Sequence, residues 1–433
     1  MKRIRGFVIA MVLLSVAFSA FGQTAADFSF EARGGTITIT GLFRPGSTRE
    51  VVIPDRVNNI PVTAIGNEAF RNNNLISVTI PNSVTHIGDS AFANNNLTSV
   101  TIPNSVTHIG EMAFASNQLI SITIGNSVRY IGERAFTVNQ LTGPIVIPNS
   151  VVSIGGWSFC CNHNLTAINV SSGNQNFSSI DGVLYSRDGT ALILWPGGKS
   201  NTVTIPNGVT SIGAGAFCGN QITSVTIPNT VISIGQNAFV GNRLTTVTVP
   251  NSVTSIGHDA FRNNPLTSVI IGSSVTTIGY RAFMDTRLTS VTIPSSVTSI
   301  GHSAFRNNPL TSVIIGNSVT TIGDSAFMDT RLTSVTIPSS VIHIEGGAFA
   351  GTLLTSVTFA GSGVRLHEFS FAIAQSALSH ESVMRMFTMS GNHMQTMQVG
   401  GVNFVNGDLP RLYAQRGAGT YQRSPGSPFW ARR

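Results

Sequence analysis

The sequence predicts a repeat solenoid, a mainly β fold of short parallel strands and turns stacked in 22-residue units. Three observations predict it. Aligned leucines stand at Leu75, Leu97, Leu119 and Leu141, then at Leu244, Leu266, Leu288, Leu310, Leu332 and Leu354, with a step of 22 within each run. A phenylalanine column follows nearly the same step from Phe70 through Phe92, Phe114, Phe136, Phe159 and Phe217 to Phe371. Between them, apolar residues alternate with Ser and Thr, as on a strand with one buried face. A fixed period in the twenties marks units that bury their apolar edge only by stacking on neighbours. About fourteen such coils are expected in the 433 residues.

Residues 1–22 read as a secretory signal: Lys2, Arg3 and Arg5 precede an apolar run from Phe7 to Phe21, and Ala20-Phe21-Gly22 offers small residues for cleavage. The run is short for a membrane span, and no later segment reaches about 18 uninterrupted apolar residues. The mature chain is expected to be exported, to the cell surface or the medium, with the periplasm left open.

Within one unit, Val100 and Ile102 face inward and Ser99 and Thr101 outward. Pro103 ends this strand because it has no N–H for a ladder. Val106 and Ile109 turn inward on a second extended segment, and Gly110 makes a corner for which a positive φ is expected. Ala113 leaves room for Phe114 to fill the centre of the coil. Three residues after most of these phenylalanines comes Asn (Asn73, Asn95, Asn117, Asn139, Asn162, Asn220, Asn242, Asn264, Asn308), or Thr at Thr286, Thr330 and Thr352. An amide at a coil corner is expected to satisfy backbone groups that the turn leaves unpaired.

This pattern, L-x-x-V-x-I-P-x-x-V-x-x-I-G-x-x-A-F-x-x-N, closely resembles the BspA-like, or Treponema-type, leucine-rich repeat, over about residues 51–371. The leader from Gly34-Gly35 to Ile65-Gly66 resembles that family's N-terminal cap, which places a cap at 23–66 and the solenoid at 67–372. The resemblance implies exported, often surface-exposed proteins that bind host matrix proteins or other cells. It implies no shared catalytic residues. Departures are Gly125, Gly272 and Gly316 in place of the strand-ending proline, and Glu345 in place of glycine.

The phenylalanine step widens to 58 between Phe159 and Phe217, with an insertion at about 171–201 that also resembles a feature of the family. Two apolar runs flank Ser186-Arg187-Asp188-Gly189, a hairpin signal. The hairpin either projects as a contact arm carrying Tyr185 and Trp195 or folds back to seal a coil that lacks an Ala-Phe plug. The second reading is preferred, because exposed apolar patches are the exception. With one irregular coil between them, Cys160 and Cys218 are expected about 10 Å apart, too far for a bridge, and all three cysteines (with Cys161) to be free thiols. Residues 258–296 and 302–340 are nearly identical, a 44-residue double unit copied whole.

After Phe371 the pattern dissolves into a C-terminal cap or tail, 373–433. A helix is expected over 374–387, followed by Met389, Met394 and Met397 with His380 and His393 nearby. Soft Met ligands suit copper(I), but methionine more often fills irregular apolar contacts. The segment Gly417-Ala-Gly-Thr-Tyr421 resembles a tail of other family members.

The net charge of +7 is misleading until it is divided. Residues 23–362 hold 15 basic and 15 acidic side chains, so the body lacks the basic footprint of a nucleic-acid reader. No Gly-x-Ser-x-Gly, Walker-type loop, His-Glu-x-x-His or Cys-x-x-Cys occurs, and carboxylates are scattered. No enzyme, cofactor or metal site is predicted. The outward Ser and Thr positions predict a flat hydroxyl face. Against that monotony, the position before the inward Ile carries His86, His108 and Tyr130 in three consecutive units, with Arg129 adjacent and Trp157 further along. Aromatic and Arg side chains dominate binding hot spots, whereas two histidines without a third ligand make a poor metal site. Candidate partner-binding residues are therefore His86, His108, Arg129, Tyr130, Trp157, Tyr185 and Trp195. The expected function is an adhesin-like binding protein for a protein or glycan of the host matrix or neighbouring cells; the alternative is a self-associating cell-envelope scaffold without external ligand.

Overall fold

In the computed structural model the described residues are 23–44, 49–367 and 370–371, with the backbone alone at 373–374, 396–399, 402–405, 419–422 and 431–432. The expected signal at 1–22 lies outside them. So does the helix expected over 374–387, apart from Ala374, which falls in strand Ile373–Ala374. Met389, Met394, His380 and His393 also lie outside, and Met397 sits in strand Thr396–Val399.

The chain is a β-solenoid of about 15 turns of roughly 22 residues. Each regular coil contributes two strands. The second, such as His108–Ile109, pairs in parallel with its counterparts in the coils before and after. These short strands form one long row in two sheets. The first begins with Phe28–Arg33 antiparallel to Thr36–Leu42, which pairs with Ile60–Ile65 and so starts the row. The second runs from the insertion to Arg365–Leu366. The other strand of most coils, such as Ser99–Thr101, pairs with only one neighbour. The hydroxyl face is thus carried mostly by two-stranded pieces, with Ile270 and Ile314 exposed where they interrupt the Ser and Thr positions.

The centre of the stack is the phenylalanine column. Neighbouring rings lie parallel, for example 5.1 Å apart between Phe92 and Phe114 and 5.3 Å between Phe261 and Phe283. Beside it runs the amide ladder. Asn95 Nδ2 donates to the carbonyls of Phe70 at 2.7 Å and Phe92 at 3.0 Å, while its Oδ1 accepts from the Leu75 N–H at 2.9 Å. One side chain thereby closes backbone groups in two coils, as the repeated amide predicts.

The corner glycine has a different reason from the one expected. Positive φ falls on Met112 (φ 53) and Ser116 (φ 56), and on their counterparts two residues either side of the column phenylalanine, not on Gly110. Gly110 is glycine because successive coils approach closely there: a Cβ would lie 2.5 Å from the carbonyl carbon of Gly88. Gly272, which replaces a strand-ending proline, meets the same limit, with a Cβ 2.1 Å from Pro250 O.

The insertion folds back. Phe177–Ile180, Val183–Ser186 and Ala191–Leu194 form an antiparallel meander, and its last strand enters the row beside Ser211–Ile212. Trp195 then takes the plug position: its N–H donates to Ala216 O at 2.8 Å, with the offset Phe217 uses toward Ala238 O, and its ring lies 5.6 Å from Phe217. The chain turns off at once through the Lys199-to-Pro196 bond (3.2 Å), so the inserted coil does not hold apart the corners on either side. The Cα atoms of Cys160 and Cys218 are consequently 5.5 Å apart and the two residues form a disulfide, contrary to the free thiols expected. Cys161 remains the free thiol, its pKa raised by burial.

Beyond the last regular coil, Gly419–Gln422 adds antiparallel to Ser356–Phe359 and pairs in turn with Ala431–Arg432. Among the described residues no helix is long and apolar enough to cross a membrane.

Candidate partner-binding surface

The row strands fix the candidate site. In each, the isoleucine points into the core, so the residue before it points out. The register sets His86 beside His108 and His108 beside Tyr130. Their rings stack, with centroids 4.6 Å apart at both steps and planes inclined by 11° and 21°. Such a parallel stack follows directly from rung spacing in a sheet.

The threonines of the row assign the imidazole protons. Thr85 Oγ1 donates its single proton to Thr63 O (3.0 Å) and lies 2.8 Å from His86 Nδ1; Thr107 repeats this with Thr85 O (3.1 Å) and His108 Nδ1 (2.8 Å). Both bonds are satisfied when Nδ1 carries the imidazole proton and donates to the hydroxyl oxygen. In a neutral ring Nε2 is then a bare acceptor. Burial, then the neighbouring His86, then Arg129 lower the pKa of His108 from its ordinary 6.5, which keeps its ring uncharged at neutral pH.

Two charged elements flank the stack. The Arg129 guanidinium lies 5.9 Å from the Tyr130 ring. Three residues along each row strand stand Asp89, Glu111 and Glu133, one above another, with Asp89 Oδ1 accepting the Glu111 N–H at 2.8 Å. The result is an aromatic strip between a guanidinium and a column of carboxylates.

The remaining candidates are not part of it. Trp157 occupies a turn at φ 58, where the Arg134 guanidinium packs over it at 5.0 Å; the row residue of that coil is Ser153. Tyr185 and Trp195 are 2% and 8% exposed in the solenoid core, so neither can meet a partner. Folding the meander back onto the coil carries both inward. Burial, with the Asp181 charge, raises the Tyr185 pKa.

A second row escaped the sequence reading. His258, Tyr280 and His302 occupy the position after the corner glycine in three consecutive coils, with ring centroids 6.2 and 5.1 Å apart. Arg281 packs over Tyr280 at 4.3 Å, and His302 Nδ1 lies 3.4 Å from Asp324. The signal was their spacing of 22 residues in a column other than the one singled out. The duplicated coils also bear an open groove of about 690 Å³, lined by Asn263, Asp285, Arg287, Asn307, Asp329 and Arg331 among others. Arg262 meets Asp285 at 3.5 Å and Arg306 meets Asp329 at 3.6 Å, so much of its charge is internally paired.

Residues 63–181, 197–311 and 298–394 match the model of the BspA type leucine rich repeat region, in six copies. Among solved structures, a leucine-rich repeat protein from Eubacterium ventriosum is 26% identical, with 74% of this chain and 91% of that one covered and a TM-score of 0.57. The pneumococcal vaccine antigen PcpA is 18% identical over 80% of this chain and 98% of its own, with a TM-score of 0.52. A leucine rich cell surface protein from Faecalibacterium prausnitzii is 26% identical over 79% and 96%, with a TM-score of 0.49. No curated protein matches the chain.

Proposed function

This chain belongs to the BspA-type leucine-rich repeat family, and from that premise we propose that it is an exported binding protein, held at the cell surface or secreted, which engages a macromolecule outside the cell. The family is one of protein-interaction scaffolds, and a filled solenoid acts through its outer surface. The observation that carries the reading is the half-open stack of His86, His108 and Tyr130. Flat aromatic rings already ordered by their neighbours lose little conformational freedom on binding. The adjoining carboxylates of Asp89 and Glu111 suit a basic side chain laid across the rings, while Glu133 is already paired with Arg134 at 3.2 Å. A protein segment of the host matrix or a neighbouring cell, presenting lysine or arginine, fits this face.

The test is binding of the purified chain to immobilised matrix proteins and glycans. Saturable binding to at least one protein is expected. Tyr130→Ser, which installs a residue common at this position, should weaken it by about 30-fold, the effect of a hot spot of roughly 2 kcal/mol. Tyr280→Ala, in the second row, should leave it unchanged. Equal losses from both substitutions would remove the first row as the site. Concentration-dependent self-assembly with no partner bound would favour the envelope scaffold instead.

A further inference from the structure

The last two coils depart from the repeat at neighbouring positions. The glycine after the inward isoleucine, present in every regular coil from Gly66 to Gly323, is Glu345, and 22 residues on it is His367. The row position two residues before Glu345 is His343, where most coils have Ser or Thr. At Gly323 a Cβ would lie only 2.7 Å from the His302 backbone N, so a long side chain at the next rung breaks a tight packing rule.

The fold gathers these three side chains. His343 and Glu345 flank inward Ile344 on one extended segment and so share its outer face. His367 sits beside Glu345 on the next rung, where its N–H donates to Ile344 O at 3.0 Å. One nitrogen from each imidazole and one carboxylate oxygen lie within 4.8 Å of one another, and His367 Nε2 is 3.1 Å from Glu345 Oε2.

We propose that His343, Glu345 and His367 form a site for a divalent transition-metal ion, with Zn²⁺ the best match. Two imidazoles and one carboxylate are a donor set that zinc accepts, with water in the fourth position. Tetrahedral zinc at its usual bond lengths places ligand atoms about 3.4 Å apart. The Glu345–His367 pair is already that close, and side-chain rotation brings His343 in from the half-exposed face. Arg365 is the cation beside this site, paired in register with His343 and exposed to solvent. The other three-ligand cluster among the described residues, Cys160, Cys161 and Cys218, has two of its sulfurs in a disulfide.

The test uses the full mature chain, tag-free and stripped with chelator, titrated with Zn²⁺ by calorimetry and with Co²⁺ by visible absorption. One equivalent should bind, with the d–d bands of a four-coordinate ion. Glu345→Gly restores the residue of the other coils, and His343→Ser a residue common in its row, so both should keep the fold. Each should weaken that equivalent by more than about 100-fold, beyond the loss of an outer-shell partner. His86→Ser should leave it intact. No Zn²⁺ uptake, or uptake that survives both Glu345→Gly and His343→Ser, would overturn the site.

Discussion

Replacing Asn264 by leucine is expected to cost the solenoid on the order of 3–5 kcal/mol. The side chain is 2% exposed. Its Nδ2 donates to Phe239 O at 2.8 Å, Phe261 O at 3.0 Å and Arg262 O at 3.3 Å, and its Oδ1 accepts the Leu244 N–H at 3.1 Å. Leucine preserves bulk but leaves these groups buried with fewer partners, and an orphaned buried group costs about 1–3 kcal/mol. The protein contains its own control. Thr330 and Thr352 occupy the same position and donate to Phe327 O at 2.9 Å and Phe349 O at 2.8 Å. A threonine thus keeps the bond within its own coil but is too short to reach the coil before. Asn264→Thr should lose roughly half as much. Urea denaturation followed by circular dichroism orders the three proteins, and a leucine variant within about 1 kcal/mol of the parent would remove the ladder from the account of stability.

Phe261→Ala should be comparably damaging, at about 3–5 kcal/mol. The ring is fully buried between Phe239 at 5.2 Å and Phe283 at 5.3 Å, so truncation opens a cavity whose walls are themselves held by stacking. Backbone bonds from Phe261 N to Ala282 O (2.9 Å) and from Phe239 N to Ala260 O (2.8 Å) limit collapse of the coil around it. Because each coil contacts only its neighbours, the loss should appear first in the flanking coils. Amide exchange should quicken around Phe239 and Phe283 while protection near Phe92 stays unchanged. Uniform loss of protection would mean that the stack unfolds as a single unit.

The regular coils were legible because each structural role recurs at a fixed offset. Val100 and Ile102 had to face inward once Ser99 and Thr101 faced out, and the Asn95 amide had to find partners once buried. The stack of His86, His108 and Tyr130 followed from register alone, since row positions 22 residues apart become rung neighbours. Where the offset breaks, the roles are no longer legible. The insertion folds back to seal its coil as expected, but Trp195 plugs it after Leu194 rather than after alanine and leaves the column immediately, so neither the identity of the plug nor the disulfide between Cys160 and Cys218 could be read from spacing. Gly110 was misread because close approach of two backbones leaves the same residue in the sequence as a positive φ does. His343, Glu345 and His367 lie in two columns, and only the three-dimensional stack brings them together.

Protease shaving of intact cells, with an internal periplasmic protein as control and an immunoblot for this chain, bears most directly on a binding protein that works outside the cell. A binding protein outside the cell should be lost from the cells while the control survives, or be recovered from the medium. A chain that stays with the cells and resists the protease alongside the control would contradict that role and leave the self-associating envelope scaffold.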